Sequence, residues 1–409
     1  MAEIQPFPGV LYDTQRVNPA DVLTQPYDKI TPEMRAQYLA RSPFNLIRIE
    51  LGQEQPGDTE TNNKYTRAGE LYRQWLRAGV LQRAARPALY YLEQTFMPPG
   101  WTETRTRRGL IAAVRLHRWD EGRILPHEHT LSKPKADRLS LLRACASQQG
   151  QIFMLHPNPI PTPPLGKPLY RLVDDYQVTN TVWEISQPAT ISAIQEALRP
   201  QKFYIADGHH RYETALAFRD EARTEARQFV MATLVDMNDP GLVVLPTHRA
   251  VSNLSKFDRE AFRRRLAEQF VVEPLGSLAD LKPGRIGVFD GRELAAVRPR
   301  DPGKLRALFA SRPPLWHQLD VAILHVAILE ALLGIDEQRL REEANVTYWR
   351  ETEAALAEVR AGRATLAFFL NPTPVGDVKA IADARSRMPQ KSTDFYPKLL
   401  SGMVMYEVG

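Results

Sequence analysis

The chain has 409 residues, 43% of them hydrophobic and 25% charged, which allows a sizeable core and makes two or three domains the ordinary expectation. A net charge of +5 mildly favours anionic ligands and is too small to demand nucleic acid. No stretch of eighteen apolar residues occurs, which argues against a membrane-spanning helix. The single cysteine, Cys145, precludes a disulfide within the chain and fits a reducing cytoplasm. The N-terminus has neither the basic region nor the apolar core of a signal peptide, so the expected location is cytoplasmic. The 32 prolines are scattered rather than repeated, which points to long ordered loops.

In chain order, Thr31 to Ala40 reads as a helix with Thr31 as N-cap and Pro32 at its first position. Leu46 to Leu51 carries a strand pattern. Asn62 to Ala78 has apolar residues near helical period and ends at Gly79. Ala88 to Phe96 and Gly109 to His117 read as paired strands across the loop containing Pro98-Pro99-Gly100. Asp137 to Ser147 is predicted helical, Gln151 to Leu155 a strand, and Pro157 to Pro168 a surface loop. Val173 to Ser186 suggests a hairpin and Thr190 to Leu198 a helix. Phe229 to Val235 and Leu242 to Leu245 read as strands. Beyond them come a basic helix at Arg259 to Gln269, a strand pair within Ile286 to Val297, and an apolar helix at Leu319 to Leu333. A helix at Glu351 to Ala361, a strand at Ala364 to Leu370 and one more helix complete the series. There is no internal repeat and no regular strand–helix alternation, so the expected fold class is α+β, that is, mixed α/β. A boundary near residue 255 divides the chain into expected regions 1–255 and 256–409.

The most informative segment runs from Tyr204 to Ala215. The apolar run Phe203 to Ala206 reads as a short buried strand, Asp207-Gly208 as a turn pair, and the residues from Arg211 as a helix with Glu213 in its first turn. Gly208, His209, His210 and Arg211 are thus expected where a strand turns into a helix N-terminus. Free N–H groups and the helix dipole favour an anion there, and glycine lets the backbone approach it closely. Two imidazoles and a guanidinium add donors suited to phosphate. The other reading is a structural turn whose histidines cap the helix. Asp207 is the first candidate carboxylate, either holding a magnesium ion or accepting a hydroxyl proton; the competing role is an Asx turn.

Further candidates are dispersed. His127-Glu128-His129-Thr130 precedes Lys133, Lys135, Asp137 and Arg138. His127 and His129 have metal-ligand spacing, but no third ligand or cysteine cluster supports zinc. Thr247, His248 and Arg249 end a strand with donors that could extend a phosphate site, and Lys391, Ser392 and Thr393 form a second basic–hydroxyl cluster near Tyr396 and Lys398. The P-loop, the Gly-x-Gly-x-x-Gly fingerprint and the Gly-x-Ser-x-Gly elbow are all missing.

Asp207-Gly208-His209-His210-Arg211 resembles the Gly-x-His/Arg-Arg motif of the ParB/sulfiredoxin-like superfamily, which includes free-serine kinases. The wider chain is similar to the DUF1015 proteins. The segments that carry this are Pro26-Tyr27-Asp28, Ser42 to Asn45, Arg108-Gly109, His127-Glu128 with Thr130, Asp137-Arg138, Tyr204 to Ala215, Leu245 to Arg249 and Met388 to Thr393. The resemblance implies a ParB/sulfiredoxin-like core with additional α/β elements and a C-terminal region that returns to the active site. It implies phosphoryl transfer to a small hydroxylated metabolite, most simply free L-serine, with ATP, ADP or pyrophosphate as donor and Mg2+ as cofactor. The implied catalytic set is Asp207, His210 and Glu128, with Asp207 also the metal ligand. The implied phosphate set is Gly208 to Arg211, Thr247 to Arg249 and Lys391 to Thr393. Tyr27, Asp28, Asn45, Arg48 and Arg138 fall on the substrate side. His209 stands where sulfiredoxins carry cysteine, which argues against thiol chemistry. The rival class is a ParB-like nucleotide switch or nucleic-acid-associated protein, but no helix-turn-helix is recognisable and a solvated face explains the basic helix.

Overall fold

Strand formation follows the apolar runs, because segments covered on both faces need no polar alternation. The structure is a computed structural model describing residues 3–128, 132–222 and 224–409, with side chains outside 132–134. The chain divides into two units. Unit 1 comprises Met1–Pro126, Thr130–Val243 and Pro397–Gly409, and unit 2 comprises His127–His129 and Val244–Tyr396.

Unit 1 is built on a nine-stranded sheet. Its strands are β1 (Ile4–Gln5), β2 (Leu89–Phe96), β3 (Arg105–Arg115), β4 (Ile124–Leu125), β5 (Ile152–His156), β6 (Tyr170–Val173), β7 (Thr179–Ile185), β8 (Phe203–Asp207) and β9 (Phe229–Asp236). The order is β4-β8-β5-β9-β3-β2-β7-β6, with β1 on β3. The pairs β4–β8 and β5–β9 are parallel and the others antiparallel, so the sheet is mixed. Residues two apart share a face, and Leu110, Ala112 and Val114 of β3 join Ile152, Met154, Phe203 and Ile205 in one buried cluster. Helices α4 (Pro188–Leu198) and α5 (His209–Glu221) add Ile194, Leu198, Tyr212 and Ala215 to it. Helix α3 (Ser132–Cys145) packs along α5.

The two N-terminal helices start as their sequences dictate. Thr31 Oγ1 accepts from Met34 N at 3.2 Å to open α1 (Pro32–Arg41), and a capping box between Asn63 and Thr66 opens α2 (Lys64–Arg77).

Unit 2 carries a fully antiparallel six-stranded sheet. Its strands are β10 (His248–Val251), β11 (Phe270–Pro274), β12 (Ile286–Phe289), β13 (Leu294–Pro299), β14 (Val346–Trp349) and β15 (Leu366–Phe369), in the order β11-β13-β12-β15-β10-β14. Helix Thr352–Arg360 covers it through Ala355, Leu356 and Val359. The fold is mixed α+β, with each unit holding its own sheet and helices. Among the described residues, no helix is long and apolar enough to cross a membrane.

Three local expectations are corrected. Leu46 to Leu51 is not a strand: Ile47–Glu50 is a single helical turn. Asn45 Oδ1 accepts from Ile47 N at 3.0 Å, and the turn buries Ile47, Ile49 and Glu50 together. Packing thus overrides the β-branched pattern. Helix α5 begins at His209, which moves Glu213 out of the first turn. Glu213 accepts instead from Lys135 Nζ at 2.7 Å. The apolar helix near Leu319 is α-helical only over Asp320–Ile323 and continues as a π-helix over Leu324–Glu330.

Candidate active site

In unit 1, β8 delivers Asp207 to the start of α5. The ladder between β8 and β5 shifts register between Ile205 and Asp207, and such a bulge re-aims the residue at the strand end. Gly208 follows with φ 94°, a left-handed conformation that glycine adopts without strain. A Cβ there would also meet the Arg211 guanidinium at 3.1 Å. Gly208 brings no capping side chain to the first turn of α5.

Arg211 curls back over this turn. Its Nη2 donates to Asp207 Oδ2 at 2.7 Å and its Nη1 to the Gln151 carbonyl at 2.5 Å. Lys398, from the C-terminal segment of unit 1, reaches Asp207 Oδ1 at 3.2 Å. Burial would raise the Asp207 carboxyl, but Lys398, then Arg211 and Lys29, outweigh it and hold the group well below the usual carboxylate range. Asp207 is therefore a fixed negative charge that orients two cations and a poor proton acceptor near neutrality. His209 is buried and His210 half-buried on the same turn.

Arg211 opens onto a cavity of about 50 Å³ whose lining includes Tyr27, Glu50, Arg138, Ser147, Gln149 and Ile152. Arg138 is buried against the Tyr27 ring, with the guanidinium carbon 4.3 Å from the ring centre. Burial pushes the Tyr27 phenol up to about 12, against the opposing pull of Arg211 and Arg138, so it stays a donor. Glu50 is buried, accepts from Ser401 Oγ at 3.2 Å and lies 3.6 Å from Arg138 Nη1. Gly150 makes room here, since a Cβ would stand 3.0 Å from Arg211 Nη1 and 3.7 Å from Glu50 Oε1.

Not every substrate-side candidate is placed on this cavity. Asn45 is fully buried and spends both ends of its amide on backbone, donating to the Asp21 carbonyl at 2.7 Å and accepting from Ile47 N. Arg48 Nη2 donates to the Leu39 carbonyl at 2.7 Å, at the end of α1. Asp28 is exposed.

The remaining candidates lie in unit 2. Glu128 Oε1 accepts from Lys391 N at 3.0 Å, and His127 Nε2 meets Thr393 Oγ1 at 2.9 Å. Ser392 Oγ donates to the Pro389 carbonyl at 2.5 Å. Arg249 is fully buried, donating from Nη2 to the Lys391 carbonyl at 2.9 Å and from Nη1 to the Thr247 carbonyl. Burial lowers Arg249 to about 10, with Tyr348 opposing, and lowers His248 to about 4, with Arg249 adding to the effect. His129 and Thr130 lie outside the described residues, as does the Lys133 side chain.

Two partners were hidden from sequence reasoning. Glu50 sits in a segment whose pattern reads as a strand, and Lys398 lies 191 positions from Asp207. The only signal for Lys398 was its place beside the Lys391–Thr393 cluster.

The donor set does not fit a protein-held metal. Both Asp207 oxygens face cations, and no group of three or more His, Cys, Asp or Glu side chains suited to an ion occurs among the described residues. No step is routed through magnesium.

A family model described as a protein of unknown function, DUF1015, matches residues 4–322. The chain belongs to the DUF1015 family. No curated protein matches this DUF1015 chain. Similar solved structures include a free serine kinase in complex with AMP, at 12% identity over 72% of this chain and 92% of that one, with a TM-score of 0.38. A conserved hypothetical protein from Pyrococcus furiosus is similar at 13% identity over 70% and 90% of the two chains, TM-score 0.36. C-terminally truncated SbnI from Staphylococcus aureus follows at 10% identity over 71% and 85%, TM-score 0.37. At these values the likenesses carry no weight for the site, which rests on its own geometry.

Proposed function

We propose that this DUF1015 protein is a small-molecule kinase that moves a phosphoryl group from ATP, ADP or pyrophosphate to the hydroxyl of a small metabolite, with free L-serine as the favoured acceptor. The observation that carries the reading is the Asp207–Arg211 turn: a glycine at a helix N-terminus, with an arginine held between that turn and a cavity lined by Glu50 and Arg138. Helix N-termini and guanidinium groups are where a transferred phosphoryl group is stabilised.

In this reading Arg211 and Lys398, both held by Asp207, neutralise charge as the phosphoryl group moves. Glu50 receives the acceptor's proton, a role that the electrostatics of Asp207 disfavour for Asp207 itself. The acceptor oxygen forms a bond to phosphorus, the bond between phosphorus and the donor's bridging oxygen breaks, and the shortened donor leaves with that electron pair. His209 and His210 contribute donors at the same turn. Thr247 to Arg249 and Lys391 to Thr393 keep the phosphate-binding role expected from the sequence, and Glu128 serves to hold the Lys391 backbone. The acceptor identity follows from the resemblance of the Asp-Gly-His-His-Arg motif to free-serine kinases.

The test is a donor-by-acceptor screen on purified protein, scoring phosphorylated product directly. Formation of O-phosphoserine or a related phosphoester supports the kinase. Nucleotide binding without product for any acceptor would overturn it in favour of a nucleotide-binding switch.

A further inference from the structure

We infer that the cavity beside Arg211 is a subsite for a small zwitterionic amino acid, with Arg138, Ser147 and Gln149 taking its carboxylate and Glu50 facing its ammonium group; only the statement that this amino acid is the acceptor rests on the kinase reading. Three buried donors on the cavity wall are without a hydrogen-bond acceptor: Arg138 Nη1, Ser147 Oγ and Gln149 Nε2. Their residues are 8%, 0% and 5% exposed. Buried donors are normally satisfied, so three on one cavity ask for a ligand with acceptor oxygens.

The rest of Arg138 is spoken for. Its Nε and Nη2 donate to Asp137 Oδ2 at 2.8 and 2.5 Å, and Nη2 also donates to the Glu50 carbonyl at 3.0 Å. That fixes the guanidinium and leaves one edge for a ligand oxygen. Glu50 supplies a carboxylate on the same wall. Arg138 and Arg211 are thus matched by Glu50 and Asp137, and a net-neutral lining suits a zwitterion better than a bare anion.

Size narrows the class further. The cavity holds about 50 Å³, against roughly 10–15 Å³ for one water on the same measure. That is room for a handful of non-hydrogen atoms and far too little for a nucleotide. Leu142, Ile152 and Ala215 line the remainder, which favours a short side chain.

The experiment is calorimetric titration of the full chain, without phosphoryl donor, using L-serine, L-alanine, ethanolamine and inorganic phosphate. L-serine and L-alanine should bind, and ethanolamine, which lacks the carboxylate, should bind at least tenfold more weakly. Gln149→Leu should weaken L-alanine by roughly tenfold or more, the effect of one hydrogen bond to a charged group. If that variant does not fold, the ligand panel on the unaltered chain decides alone. Equal affinity for ethanolamine and L-alanine, preference for phosphate, or no binding of either amino acid would overturn the subsite. L-alanine has no hydroxyl to phosphorylate, so the two proposals fail separately. Amino-acid binding with no phosphorylated product from any donor sinks the kinase and leaves the subsite. Turnover whose KM for L-serine ignores Gln149→Leu sinks the subsite and leaves the kinase.

Discussion

Two arginines follow histidines in this chain, and the two units treat them in opposite ways. Arg211 in unit 1 is paired with a carboxylate, Asp207, and presents its remaining surface to a cavity. Arg249 in unit 2 is fully buried, and its two Nη groups donate to main-chain carbonyls of Thr247 and Lys391. A carbonyl satisfies a donor without cancelling its charge, so burial lowers Arg249 to about 10 and its neighbour His248 to about 4. The same residue types in similar short motifs thus make a charged site in one unit and a desolvated, cation-averse pocket in the other. Motif composition does not distinguish these outcomes; the compensating group does.

The sharpest way to break this contrast is Asp207→Asn. The swap keeps the side chain's size but leaves Arg211 and Lys398 without their shared carboxylate. Breaking a buried charge pair costs roughly 3–5 kcal/mol of stability. Turnover should fall by roughly 10²–10³-fold, the usual loss for disturbing a group that stabilises transition-state charge. Melts and initial rates on the same preparation separate the two effects. Near-normal values for both would reduce Asp207 to an Asx-turn residue, because asparagine forms that turn equally well.

Next comes acid sensitivity in unit 2. The folded pKa of His248 is depressed, so the unfolded state binds the extra proton and stability rises with pH. The contribution is complete above the unfolded value of about 6.5. It is lost as pH falls towards the folded value of about 4. The full span corresponds to about 3 kcal/mol, from roughly 1.4 kcal/mol per pH unit. Melts of the parent and His248→Gln between pH 7 and pH 4 should show the variant with the flatter dependence. Parallel curves would mean that His248 is not buried in its neutral form.

The smallest effect is expected at Lys135→Ala. The pair with Glu213 spans 2.7 Å, but the lysine side chain is 40% exposed. Such pairs contribute about 0–1 kcal/mol. Denaturant midpoints and turnover should both stay close to the parent, and a large loss of either would show that the pair braces α3 against α5 as part of the site.

Short-range signals in the sequence determined the turn at Asp207-Gly208, the helix after it, the caps at Thr31 and Asn63, and most strands, because apolar runs, turn pairs and capping side chains act within a few residues. They also placed the DUF1015 resemblance along the chain. Tertiary structure alone decided what those residues face. It turned Ile47–Glu50 into a helical turn that buries Glu50, spent Asn45 and Arg48 on main-chain groups, and brought Lys398 to Asp207 across 191 positions. Charge compensation and desolvation depend on neighbours in space, and neighbours so distant in sequence leave no local pattern to read.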